Sequence, residues 1–194
     1  QLVDGPRLQR RHTQGETGSG EGTVLRDTAV VRLVEGRLAW YPPGAGVEPQ
    51  WLEDESVRAT LLATLAQRRV KVCFAVPGAD ARVLTLAVAP EEKKHISKSL
   101  PFMLEEQFAA DVEKLHFAFC PLEGDNFAVA SAAQAKMEEW QLLLADFPGI
   151  AQWLPEPLLL PWQADEWCLV LEADSAIIRV GECDGFSVER NLVD

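Results

Sequence analysis

Apolar positions along this chain recur with two periods, and the switches between them mark the elements. Thr28 to Val34 is a β-branched run, Glu35-Gly36 supplies turn residues, and Arg37 to Tyr41 resumes the run. Two short apolar runs about such a turn predict a hairpin. Pro42 to Gly46 breaks the pattern, and from Trp51 to Gln67 the apolar Val57, Leu61, Leu62 and Leu65 follow a helical period. Val70 to Pro77 is almost continuously apolar, as in a strand covered on both faces. Arg82 to Val88 follows a Gly-Ala-Asp turn as a further strand.

Ile96, Leu100, Leu104, Phe108 and Val112 lie four apart, which predicts one helical tract from Pro90 to Leu115. Pro101 interrupts it, as a kink or as a restart with proline in a first turn. His116 to Leu122 and Asn126 to Ala133 form a second hairpin over Glu123-Gly124-Asp125, and Ala135 to Phe147 a third helix. Ile150 to Trp162 reads as a strand, a proline-bounded turn and a short apolar piece. Three closing strands follow, with tight turns at Asp174-Ser175 and Asp184-Gly185. The order is mixed α/β. A fresh β-meander after Trp162 resembles the opening hairpin and points to two related lobes, the second cut short. The division expected is a tail or loop over residues 1–26, a first lobe over 27–155 and the start of a second over 156–194.

Charge narrows the function classes. Thirty acidic residues against 18 basic give a net charge of −12 over 194 residues, which opposes binding to nucleic acid. The densest basic cluster, Arg7, Arg10 and Arg11, is too small for a groove. No apolar run reaches the roughly 18 residues of a spanning helix, and any membrane anchor is expected outside this chain. Cys73, Cys120, Cys168 and Cys183 make no C-x-x-C pair, so no zinc site is expected, and a reducing compartment fits.

Catalytic chemistry finds little support. Phosphate-loop and dinucleotide fingerprints are missing, and TGSGEG in the tail has neither lysine nor a following helix. Of the histidines, His12 lies in the tail, His95 among charged residues, and His116 alternates with Phe117 and Phe119. With no G-x-S-x-G either, neither a nucleophilic triad nor a metal set is in view. The reading is therefore no catalytic residue, no cofactor and no metal. An interaction surface is better supported: Glu105, Glu106, Asp111 and Glu113 surround the apolar stripe, which suits a basic partner. Among six tryptophans, Trp153 and Trp162 flank a proline-rich turn and are the expected exposed pair.

The segment LPFMLEEQFAADVEKLHFAF, Leu100 to Phe119, resembles the most recognisable part of the type II secretion system protein L family, an inner-membrane assembly component. The Val-Pro-Gly turn at Val76 to Gly78, Met137 with Trp140, and Leu154-Pro155 agree in order, and the resemblance covers Val70 to Asp194. It implies an actin-like ATPase fold with ribonuclease H-like lobes, at the cytoplasmic face of the bacterial inner membrane. It also implies a non-catalytic adaptor that recruits the hexameric secretion ATPase through that enzyme's N-terminal domain, alongside other inner-membrane components and as a homodimer. The alternative is a nucleotide-responsive actin-like protein of a type IV pilus-type machine. Against it, the hairpin candidates at Asp27 to Arg32 and Leu171 to Ala176 have no glycine where phosphate would approach the backbone.

Overall fold

The computed structural model describes residues 28–43, 48–67, 70–108, 111–150 and 152–193. The expected tail over 1–26, with His12 and the arginine cluster, lies outside them. The first hairpin forms as its sequence directs. β1 (Thr28–Val34) pairs antiparallel with β2 (Arg37–Tyr41), placing Val31 opposite Trp40. Glu35 and Gly36 turn the chain with φ of 51° and 75°, the double positive φ that a two-residue hairpin favours. A two-residue strand, β3 (Gln50–Trp51), adds to β2. The predicted helix therefore starts later, as α1 (Glu55–Gln67). The Asp54 carboxylate fixes that start by accepting the Ser56 and Val57 N–H groups at 2.8 and 3.4 Å.

β4 (Lys71–Val76) runs parallel to β1, and β8 (Gln152–Pro155) runs parallel to β4, so one mixed sheet has the order β3-β2-β1-β4-β8. Every β4 residue after Lys71 is buried, as expected of a central strand, and Val72, Phe74 and Val76 join a core cluster with Leu61 of α1 and Trp140. Its Cys73 thiol is pushed up to about 12 by burial. Between β4 and β8 the chain builds an antiparallel sheet of order β5-β7-β6, from β5 (Ala81–Ala87), β6 (Leu115–Pro121) and β7 (Asn126–Ala133). It then returns through α3 (Gln134–Leu143), shorter than the predicted helix, whose buried Trp140 packs into the core of the first sheet. A third sheet, β11-β10-β9, holds β9 (Cys168–Leu171), β10 (Ser175–Gly181) and β11 (Asp184–Glu189). This is a mixed α/β architecture, as the order of elements predicts.

The long helical tract is corrected. α2 spans only Ile96–Leu104, preceded by a 3-10 turn at Lys93–His95 and followed by others at Glu105–Gln107 and Val112–Lys114. Pro101 lies inside α2 rather than at a restart. Phe108 is extended, at φ −113° and ψ 133°, yet Phe108 and Val112 still join Ile96, Leu100 and Leu104 in one cluster under the second sheet. Burial, not helical continuity, produced the four-residue spacing. The last turn is also displaced: Asp184 and Gly185 open β11, and Glu182-Cys183 forms the turn.

The third sheet seats on the 3-10 turn Glu156–Leu159. Arg179 of β10 donates to the carbonyls of Leu158 and Leu160 at 2.8 and 2.6 Å, and to those of Gly181 and Glu182 at 3.0 and 2.6 Å. A side chain at Gly185 would meet Pro157 Cβ at 2.6 Å and the Ile178 carbonyl at 2.7 Å. Glycine there lets strand and turn touch.

Candidate functional site

Where α2 ends, the chain turns back so that its next segment faces it. Arg82 of β5 holds this turn from outside, donating to the Gln107 carbonyl at 2.5 Å with its guanidinium 4.8 Å from the Phe108 ring centroid. Phe108 meets Phe117 edge to face at 5.8 Å. The Asp111 carboxylate accepts the Glu113 N–H at 3.1 Å and caps the turn that feeds β6. At the head of α3 the Gln134 side-chain amide donates to the carbonyls of Glu113 and Leu115 at 2.9 and 3.3 Å. These bonds frame a groove of about 340 Å³ lined by Pro101, Phe102, Glu105, Asp111, Val112, Glu113, Leu115, His116, Phe117 and Gln134.

The groove is acidic above and apolar below. Val112 and Phe117 are buried, while Phe102 stands 75% exposed at its edge. Glu105, Asp111 and Glu113 are exposed on the lining. Asp111 pairs with Lys114 at 3.5 Å, a contact between two largely solvated groups and so worth little. His116 is half-buried, and loss of hydration pushes its imidazole below the ordinary range. It borders the groove and also a smaller crevice, of about 80 Å³, lined by Val76, Ala81, Met137, Trp153 and Pro155 among others.

Three of the acidic residues singled out in the sequence thus meet at one site, and Glu106 is exposed outside its lining. The tryptophans separate. Trp153, expected to be exposed, is half-buried with its ring 5.1 Å from Phe74 and 6.4 Å from Trp140, because β8 pairs with the central β4. Trp162 is 37% exposed and Trp167, which was not singled out, 73%. Phe102 and Gln134 were missed. Phe102 carried a signal, being apolar but out of phase with Ile96, Leu100 and Leu104.

A second polar constellation lies between sheets. Arg32 of β1 reaches Glu156 Oε1 from Nε at 2.9 Å and from Nη2 at 2.8 Å, and Glu172 Oε1 from Nη1 at 2.8 Å. Glu156 Oε2 accepts the Gly78 N–H at 2.9 Å. Burial works to lower the Arg32 pKa, but the two carboxylates more than offset it and raise it. Beside Gly78 lies Ser187, whose buried hydroxyl has no hydrogen-bond partner among the described residues.

The family model for type II secretion system protein L matches residues 47–194. The chain belongs to the type II secretion system protein L family. It is 30% identical over 168 residues to the protein L of Pectobacterium carotovorum subsp. carotovorum, covering 81% of this chain and 39% of that protein. The Klebsiella pneumoniae protein L is 30% identical over 135 residues, covering 69% and 33%. The chain thus spans well under half the length of these relatives. In structure it resembles the cytoplasmic domain of EpsL, an inner membrane component of the type II secretion system of Vibrio cholerae. The TM-score is 0.63 at 16% identity, over 84% of this chain and 71% of that one, a likeness that shows the fold. The chain's relatives are named as type II secretion system proteins, and no helix among the described residues of this chain is long and apolar enough to cross a membrane.

Proposed function

We propose that this protein L chain is a non-catalytic adaptor at the cytoplasmic face of the inner membrane, recruiting the secretion ATPase through that enzyme's N-terminal domain for protein export. The observation that carries the reading is the groove in which Glu105, Asp111 and Glu113 gather over an apolar floor, on a chain of this family. Such a surface suits a basic, partly apolar protein partner. In keeping with a non-catalytic role, Arg32 is already engaged by Glu156 and Glu172. On this reading residues 27–155 form one lobe and 156–194 open a second, and the chain works as a homodimer among other inner-membrane components.

Isothermal titration with the purified N-terminal domain of the secretion ATPase, with and without Mg-ATP, tests the proposal. Saturable binding indifferent to nucleotide is the expected result. Binding only with nucleotide would favour the nucleotide-responsive reading, and no binding would refute recruitment. Association should slow several-fold as ionic strength rises, because exposed charges are screened beyond ~8 Å at 0.15 M.

A further inference from the structure

The groove at the end of α2 also indicates what kind of segment it accepts, an inference that rests on the reading that this chain docks a protein partner. Its chemistry is layered. Buried Val112 and Phe117 form the floor with half-buried Leu115. The exposed Phe102 ring stands at the edge, and Glu105, Asp111 and Glu113 complete the lining. Among the described residues no cation pairs with Glu105 or Glu113, and Asp111 meets only the largely exposed Lys114. An apolar side chain left 75% exposed beside unpaired carboxylates is an arrangement that folding alone does not require.

We propose that the groove binds an arginine-bearing amphipathic segment of a protein partner, the guanidinium seated among Glu105, Asp111 and Glu113 and an adjoining apolar side chain resting on Phe102 and the floor. Arginine suits it better than lysine. Its planar fork matches carboxylates bidentately and stacks on aromatic faces, whereas an ammonium is a strongly hydrated point charge. Anionic partners are repelled by the same carboxylates. Among the described residues no group of His, Cys, Asp and Glu could hold a metal ion. The groove is also braced from behind, because Gln134, Arg82 and the Asp111 cap hold its walls by bonds that do not use the carboxylates of Glu105 or Glu113.

The test titrates the whole 194-residue chain with a short capped peptide of alternating leucine and arginine, followed by backbone NMR and fluorescence anisotropy. Lysine and glutamate versions serve as comparison. The arginine peptide should shift Phe102, Leu115, His116 and Gln134 first, the lysine peptide should bind more weakly, and the glutamate peptide should not bind. Changing Glu105→Gln and Glu113→Gln together should weaken binding about fivefold, while Glu91→Gln with Glu92→Gln, before α2, should leave it unaltered. Shifts spread evenly over the acidic surface, absence of binding, or an unaffected groove variant would overturn the proposal. Running the groove variant against the ATPase domain separates the two claims. Failure of the unaltered chain to bind that domain removes the adaptor reading, whereas equal binding by both removes the groove.

Discussion

Arg32 and Glu156 stand 124 residues apart in the chain, yet meet through two nitrogens of the guanidinium and one carboxylate oxygen, at 2.9 and 2.8 Å. The second Glu156 oxygen takes the Gly78 N–H, and the third Arg32 nitrogen takes Glu172. β1, the turn after β4, the 156–159 turn and the end of β9 are thereby tied at one point. Removing one member leaves a shielded charge facing others without its partner, which costs more than the intact pair contributes. Glu156→Ala should therefore destabilise the chain by about 3 kcal/mol in urea unfolding. The pair Arg32→Met with Glu156→Leu should lose less than the two single changes summed. Additive losses would show that the two residues act independently.

The contact of the third sheet with the rest of the protein leaves no space at Gly185. Gly185→Ala must displace both Pro157 and the Ile178 carbonyl, of which the second is backbone. A loss of about 2 kcal/mol or more is expected. Gly36→Ala has open space around its added carbon and φ of +75°, so only the cost of a left-handed residue applies, about 1 kcal/mol. Urea midpoints should rank them in that order.

Pro101 sits in the sixth position of α2, where it cannot donate to the Ser97 carbonyl four residues back. Pro101→Ala restores a donor, and melting should show a gain of about 1 kcal/mol or more. A lower melting temperature would mean that proline sets the course of the chain into the turn at Glu105.

His116 carries a pH dependence of definite sign. Its folded pKa lies below the ordinary 6.5 because burial disfavours the imidazolium. Above 6.5 both folded and unfolded chains hold it neutral, and its contribution is complete. As pH falls below that value the unfolded chain takes up the proton first, so stability declines. The difference in unfolding free energy between the unaltered chain and His116→Asn should shrink from pH 7 toward about pH 5. A constant difference would place His116 in full contact with water.

Legibility followed the range of each interaction. β1, β2, β6 and β7 were readable because alternation and turn residues are local signals, and β4 because a strand buried on both faces is continuously apolar. The two-residue β3 is too short to carry a period. The stripe from Ile96 to Val112 was read as one helix. Both a helix and a chain that folds back can bury residues four apart, and the Arg82 and Asp111 contacts that choose the second are made by side chains to distant or turning backbone. The acidic character of the site was legible from composition, and its assembly was not.

By itself the sequence determined β1, β2, β4, β6 and β7, the acidic surface and the family, since each depends on neighbours within a few residues or on motif order. Only the tertiary structure decided the order β3-β2-β1-β4-β8, the packing of Trp153 against Phe74 and Trp140, the meeting of Glu105 with Asp111 and Glu113, and the tie of Arg32 to Glu156. Those outcomes turn on which distant surfaces exclude water together and which buried charges find partners. Burial and charge pairing are properties of the packed chain as a whole, so no local pattern encodes them.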